Sequence, residues 1–263
     1  MITDFHTHAF PDGIAADAVR MLASKSNLAP SNDGTVKGLL ESMDRAGIEK
    51  SVVLNIATKP SQTENIIKWC LKIRSVRIEP FPSIHPDNGN YRELLKKIKT
   101  EGLKGIKFHP MYQDFAADEE KMFPVYEEAA KAGLVMLFHS GYDISFPVDG
   151  RASVRRIKKI SDKFPDAKIV ASHTGGWKMW DEVEKELAGS GIYIETSMTL
   201  LYIKDETLFG RIIKKHCPEK LLFGTDAPWG NQSAEVKNIK KTITDEVLRR
   251  KIFAGNAEYL LAA

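Results

Sequence analysis

Residues 1–263 encode an α/β chain folded as one (β/α)₈ TIM barrel, on three grounds: eight short apolar runs, helix-patterned stretches between them, and polar residues gathered where the runs end. Eight such units in about 250 residues is the number that closes a parallel barrel, whose functional face is built from the C-terminal strand ends. A doubly wound open sheet is the alternative. It usually stops nearer six strands and carries a Gly-rich phosphate loop after the first, where this chain reads HTHAFPDG.

In order, strands are expected at 2–8, 51–57, 77–84, 103–109, 134–139, 168–173, 192–196 and 221–226. Amphipathic segments at 36–47, 63–75, 91–102, 124–133, 153–164, 180–191 and 206–216 lie between them. Gly47, Gly102, Gly133 and Gly189, at or near the ends of four of these segments, suit left-handed caps that return the chain to the next strand. The stretch 233–261 reads as two or three helices closing the barrel, with Asn256 as N-cap of the last. No composition shift marks a boundary, so one domain is expected.

An apolar fraction of 43% and a charged fraction of 28% are those of an ordinary soluble globular protein. The net charge of +3 is spread along helix-like segments, so nucleic acid and membrane surfaces are not expected partners. Cys70 and Cys217 form neither a CxxC pair nor a disulfide framework, and no charged leader or apolar span precedes the first strand. A reducing cytoplasmic location is expected, and a homodimer accords with general frequency alone.

The first run holds His6 and His8, the fifth His139, the sixth His173 and the eighth Asp226. Strand side chains alternate faces, so His6 and His8 project to one side and can offer two imidazoles to one cation. A further histidine and an aspartate from other strands can complete a nitrogen and oxygen shell suited to Zn²⁺ or a similar ion. Singly, each element is weak. HxH pairs arise by chance, and a lone histidine at a strand end is commonly a satisfied polar residue. All of them, however, fall at the same place in their units. A divalent ion with an open position lowers the pKa of its water from 15.7 toward about 7, while Asp226 or a histidine outside the shell moves the proton.

HTH on the first strand, FHSG on the fifth, SHTGGW on the sixth, GTDAPWG on the eighth and the closing FAGNAEYLL resemble the amidohydrolase superfamily. The nearest likeness is to its branch containing aminocarboxymuconate semialdehyde decarboxylase. The resemblance runs in family order through nearly the whole chain, specific for fold and site and unspecific for substrate. It implies a barrel of the metal-dependent hydrolase type in which His6, His8, His139 and Asp226 hold one metal. His173 would then be the acid or base, or polarise the substrate. Some members use a carbamylated strand-four lysine to bridge two metals, with the sixth-strand histidine as a ligand. Lys107 and His173 occupy those places, so two ions are the alternative to one. Zinc is the expected metal and manganese the alternative.

Lys107 has two further readings: a cation for a substrate carboxylate, or a barrel lysine ion-paired to Asp226 or Glu195. His109 shares its strand face and is a candidate to line the pocket, whereas His85 reads as structural. His216 beside Lys215 reads as a complement to a helix dipole. Tyr142, Arg151, Trp177 and Trp229 follow the site strands in expected loops, where aromatics and a guanidinium suit an organic acid; rim packing is the plainer reading. The expected activity is hydrolysis of an amide, ester or lactone bond in a small carboxylated molecule. The alternative is non-oxidative decarboxylation of an unsaturated or aromatic acid. A non-catalytic scaffold sits poorly with a filled ligand set.

Overall fold

The computed structural model describes residues 1–262. Its strands are β1 (Thr3–Thr7), β2 (Lys50–Leu54), β3 (Ile78–Phe81), β4 (Gly105–Phe108), β5 (Val135–Phe138), β6 (Ile169–Ala171), β7 (Tyr193–Glu195) and β8 (Leu221–Leu222). Parallel pairing runs through β1, β2 and β3, and separately from β4 to β8. Two seams join these sheets into a ring. At one, Thr7 bridges Ala227 and the Phe5 amide donates to the Phe223 carbonyl at 2.7 Å. At the other, Ser83 bridges Lys107, whose amide donates to the Pro82 carbonyl at 2.8 Å.

The strands are shorter than their apolar runs, and at the ends of two runs a site residue turns out of the ladder. His173 and Asp226 have φ of 59° and 62°, a left-handed backbone that cannot continue a strand and is concentrated at functional positions.

Inside the ring, Phe5, Leu54, Phe81, Leu137, Val170, Tyr193 and Leu222 meet in one buried cluster, plugged by Leu260 and Leu261 of the last helix. Strand β4 supplies Gly105 here, and a Cβ on it would lie 2.4 Å from the Phe81 ring, which fills the space instead. The outward strand residues pack under the helices. Val36–Ala46, for example, buries Leu39 and Met43 completely, each stabilising by roughly 1.5–3 kcal/mol. Gly47, Gly102, Gly133 and Gly189 all have the positive φ that the sequence suggests.

Three elements depart from the sequence reading. Helix Asp12–Ser26 was not among the expected segments. Asn256 is not an N-cap: the helical chain runs through it from Glu246, leaving no free amides to cap, and its side chain donates to the carbonyls of Pro218 and Leu221. His216 is not a charged dipole partner. Burial pushes it down to about 4, and the neutral ring donates to the Ile192 carbonyl and accepts from the Gly189 amide.

Candidate metal centre

The site begins with a bulge. Between Asp4 and Thr7, β1 advances three residues while β2 advances two, from Ser51 to Val53. Such an insertion re-aims a side chain at a barrel rim. Phe5 can therefore join the interior cluster while its neighbour His6 also reaches inward, to Glu195 on β7.

Each of four histidines has one ring nitrogen held by an outer acceptor. His6 Nδ1 lies 2.8 Å from Glu195 Oε1, His8 Nδ1 2.9 Å from the Leu54 carbonyl, and His139 Nε2 2.8 Å from the Tyr142 carbonyl. His173 Nδ1 lies 2.8 Å from Ser197 Oγ, which itself donates to Glu195. Carbonyls and carboxylates only accept, so the proton of each neutral ring sits on its outer nitrogen and the inner nitrogen is bare. The bare atoms then face one another. His6 Nε2 is 3.2 Å from His8 Nε2, and His139 Nδ1 is 3.3 Å from His173 Nε2. Asp226 Oδ1 lies 3.1 Å from His8 Nε2 and 3.4 Å from His6 Nε2, buried and without a hydrogen bond. Lone pairs opposed at these distances repel unless a cation lies among them. Nitrogen and carboxylate donors with outer partners of this kind suit a divalent ion, so His6, His8 and Asp226 fit the metal that the sequence implies, while the expected fourth ligand, His139, stands apart from them beside His173 and His109.

Electrostatics favour the same state. Burial pushes His6 well below its ordinary value, with the Lys107 charge adding to it, and pushes His139 well below likewise. Burial also lowers His109, although Asp143 opposes it. Neutral imidazole is the form that binds metal. Burial raises the Asp226 carboxyl, but His6 and His8 more than offset this and keep it ionised.

Lys107 is fully buried and its Nζ has no hydrogen-bond partner. The ion pair to Glu195 or Asp226 is not made, because Glu195 is engaged by His6, His173 and Ser197. Burial pushes Lys107 down to about 8.

A cavity of about 660 Å³ opens onto these groups. Its lining includes His6, His8, Lys107, His109, His139, His173 and Asp226, together with Trp177 and Trp229 from the loops. Tyr142 and Arg151 do not line it. The Tyr142 carbonyl holds His139, and Arg151 pairs with Asp114 at 2.6 Å and Asp149 at 3.4 Å. His85 accepts the Asp87 amide on Nδ1, a local structural contact.

The structure adds Asp143, which the sequence reading did not name, and sets Glu195, read there only as an ion-pair partner for Lys107, beneath His6 and His173. Asp143 lines the cavity with Oδ2 3.5 Å from His109 Nε2, and His109 in turn stacks on His139 at 4.2 Å. Nothing in GYDISFP sets this aspartate apart. Glu195 did carry a signal: a glutamate inside an apolar strand is buried only when it is partnered. Among the described residues, donor atoms come within 4.8 Å of one another in three groups: His6, His8 and Asp226; His6, His173 and Glu195; and His109, His139 and Asp143.

A family model described as amidohydrolase matches residues 3–262. A dihydroorotase of Helicobacter pylori is 24% identical over 159 residues, 57% of this chain, and the match spans about half, 46%, of that protein's length. Two solved structures show the same fold. A dihydroxybenzoic acid decarboxylase of Polaromonas sp. JS666, with bound manganese and the inhibitor 2-nitroresorcinol, is 17% identical with a TM-score of 0.73, covering 99% of this chain and 96% of its own. A protein assigned as a 2-pyrone-4,6-dicarboxylic acid hydrolase of Acinetobacter baumannii, with citric acid bound, is 14% identical with a TM-score of 0.68, covering 100% and 99%.

Proposed function

The chain belongs to the amidohydrolase family, and from that premise we propose that it is a metal-dependent hydrolase cleaving an amide, ester or lactone bond in a small carboxylated molecule. One observation carries the reading: the bare Nε2 atoms of His6 and His8 and an unpartnered oxygen of Asp226 lie within 4.8 Å of one another at the C-terminal mouth of the barrel, and a second bare pair, His139 Nδ1 and His173 Nε2, lines the same cavity. His6 Nε2, His8 Nε2 and Asp226 Oδ1 would hold one divalent ion, and His139, whose donor atom lies outside that group in this structure, would close on it as the fourth ligand. The nitrogen-rich donor set favours zinc, and the manganese in the decarboxylase neighbour makes Mn²⁺ the alternative. When bound, the ion supplies Lewis acidity to the attacking water and to the bond under attack.

The chain's own residues do the rest. His173, its Nδ1 proton held by Ser197, keeps Nε2 free to take a proton from the nucleophile and return it to the leaving group. Lys107 places its unpartnered ammonium against a substrate carboxylate, as the citrate and dicarboxylate of the pyrone hydrolase neighbour suggest. The free thiols Cys70 and Cys217 accord with a cytoplasmic location. Among the described residues no helix is long and apolar enough to cross a membrane.

A second reading is non-oxidative decarboxylation of an unsaturated or aromatic acid, supported by the decarboxylase that matches 99% of the chain. In that case His173 or Asp226 delivers a proton to the carbon that loses carbon dioxide. Metal-loaded protein should be run against carboxylated lactones, esters and amides, and against aromatic and unsaturated acids, with carbon dioxide quantified in parallel. Hydrolysis without carbon dioxide supports the first reading. Carbon dioxide alone transfers the assignment to the second, and no turnover with either set refutes both.

A further inference from the structure

One wall of the cavity is not explained by the chemistry at its floor. Helix Asp12–Ser26 buries only Ala15 and Val19 against the barrel. Ile14, Ala18, Met21 and Leu22 recur at i, i+4, i+7 and i+8, the spacing of a single helical face, and all four line the cavity. Ile66 and Trp69, three apart on helix Thr63–Ile73, line it as well. Ile14 and Met21 remain 55% and 52% exposed, so an apolar helical stripe faces open volume continuous with the metal centre. Volume points the same way. About 150 Å³ encloses a benzene ring, and the cavity is about 660 Å³, so a single-ring acid would leave most of it empty.

We infer that the substrate is an amphiphilic carboxylate: its acid group binds Lys107, and an alkyl chain or extended aryl body longer than one ring lies along the cleft between Ile14, Met21, Ile66 and Trp69. The histidines, Lys107 and Asp143 occupy the floor, and the helices Asp12–Ser26 and Thr63–Ile73 supply the apolar stripe, with Lys25, Ser26 and Asn65 as polar groups on the same wall. The inference rests on the proposed hydrolase reading for the acid head only, because the wall is independent of the metal.

The test is calorimetric titration of metal-loaded, full-length protein with straight-chain carboxylates from butanoate to dodecanoate, each below its micellar concentration. Burying one methylene tightens binding about threefold to fourfold, so Kd should fall by that factor per carbon until the cleft is filled and then level off. Ile14→Gln and Met21→Gln, at exposed positions where a polar side chain costs the fold little, should flatten the dependence for the longer chains. Val76→Gln, on a surface residue that does not line the cavity, should leave it intact. A Kd independent of chain length overturns the inference, as does a trend the two cleft variants fail to alter, or one that climbs without a plateau as in surface adsorption. Metal content is measured on every sample. A chain-length trend in protein that binds no metal would refute the metal reading and leave the cleft assignment standing.

Discussion

Glu195→Gln isolates the support beneath the metal centre. Glu195 is fully buried, and Oε1 accepts from His6 Nδ1 at 2.8 Å, the His173 amide at 2.9 Å and the Ser197 hydroxyl at 2.8 Å, while Oε2 accepts from the Ser197 amide at 2.7 Å. Glutamine has nearly the same shape but replaces one acceptor with a donor. Either amide orientation sets an NH₂ against a backbone N–H, of His173 or of Ser197. A buried donor left without an acceptor costs about 1–3 kcal/mol, which is the expected loss of folding stability. His6 also loses the carboxylate that fixes its tautomer and raises its basicity, and losses of this kind weaken metal affinity about tenfold to a hundredfold. Competition against a chromophoric zinc chelator measures that affinity, and circular dichroism confirms that the variant is folded. Wild-type zinc affinity in folded Glu195→Gln would refute the assignment of His6 as a metal-facing ring positioned by Glu195.

Lys107→Met should raise KM for carboxylated substrates roughly tenfold to a hundredfold, the value of a charge-assisted hydrogen bond, and leave the melting temperature unchanged or higher because an unpartnered buried cation is removed. Loss of stability with an unchanged KM would show that Lys107 is structural. Gly224→Ala places a Cβ 2.1 Å from Glu195 Oε2 and 3.1 Å from His6 Cβ; a destabilisation of about 1–3 kcal/mol with weaker metal binding is expected, and wild-type metal affinity in a chelator titration counts against it. His216 titrates at about 4 in the fold against an ordinary 6.5, so its contribution is full above pH 6.5 and is lost as pH falls from 6.5 toward 4. The loss amounts to about 3 kcal/mol at about 1.4 kcal/mol per tenfold change. Urea unfolding of wild type and His216→Gln at pH 7 and pH 4.5 measures it; equal pH dependence in the two proteins contradicts the assignment.

The barrel was legible because its two periods are legible: apolar runs of strand length, amphipathic segments of period 3.6, and glycines where a left-handed turn is needed, as at Gly47 and Gly133. That His6, His8, His139, His173 and Asp226 share one cavity was legible as well, since the fold brings C-terminal strand ends to one face. What escaped depends on contacts between distant residues. Helix Asp12–Ser26 was missed because its apolar residues Ile14, Met21 and Leu22 face a cavity and not the core that amphipathic patterns are usually read against. Asp143 is one acid in a polar loop until the fold sets it beside His109. Arg151 reads as a guanidinium for an organic acid until Asp114 and Asp149 are found beside it. His216 reads as a helix-end cation because nothing local shows that it is buried.

Metal stoichiometry tests the central claim most directly. Protein purified without added metal, and again after reconstitution with zinc or manganese, should be analysed for elements alongside His139→Ala and His8→Ala. About one equivalent of divalent metal per chain is expected, lost in both variants while their folds persist. Metal-free wild-type protein after reconstitution would contradict the convergent imidazole site, and with it the hydrolase built on that site.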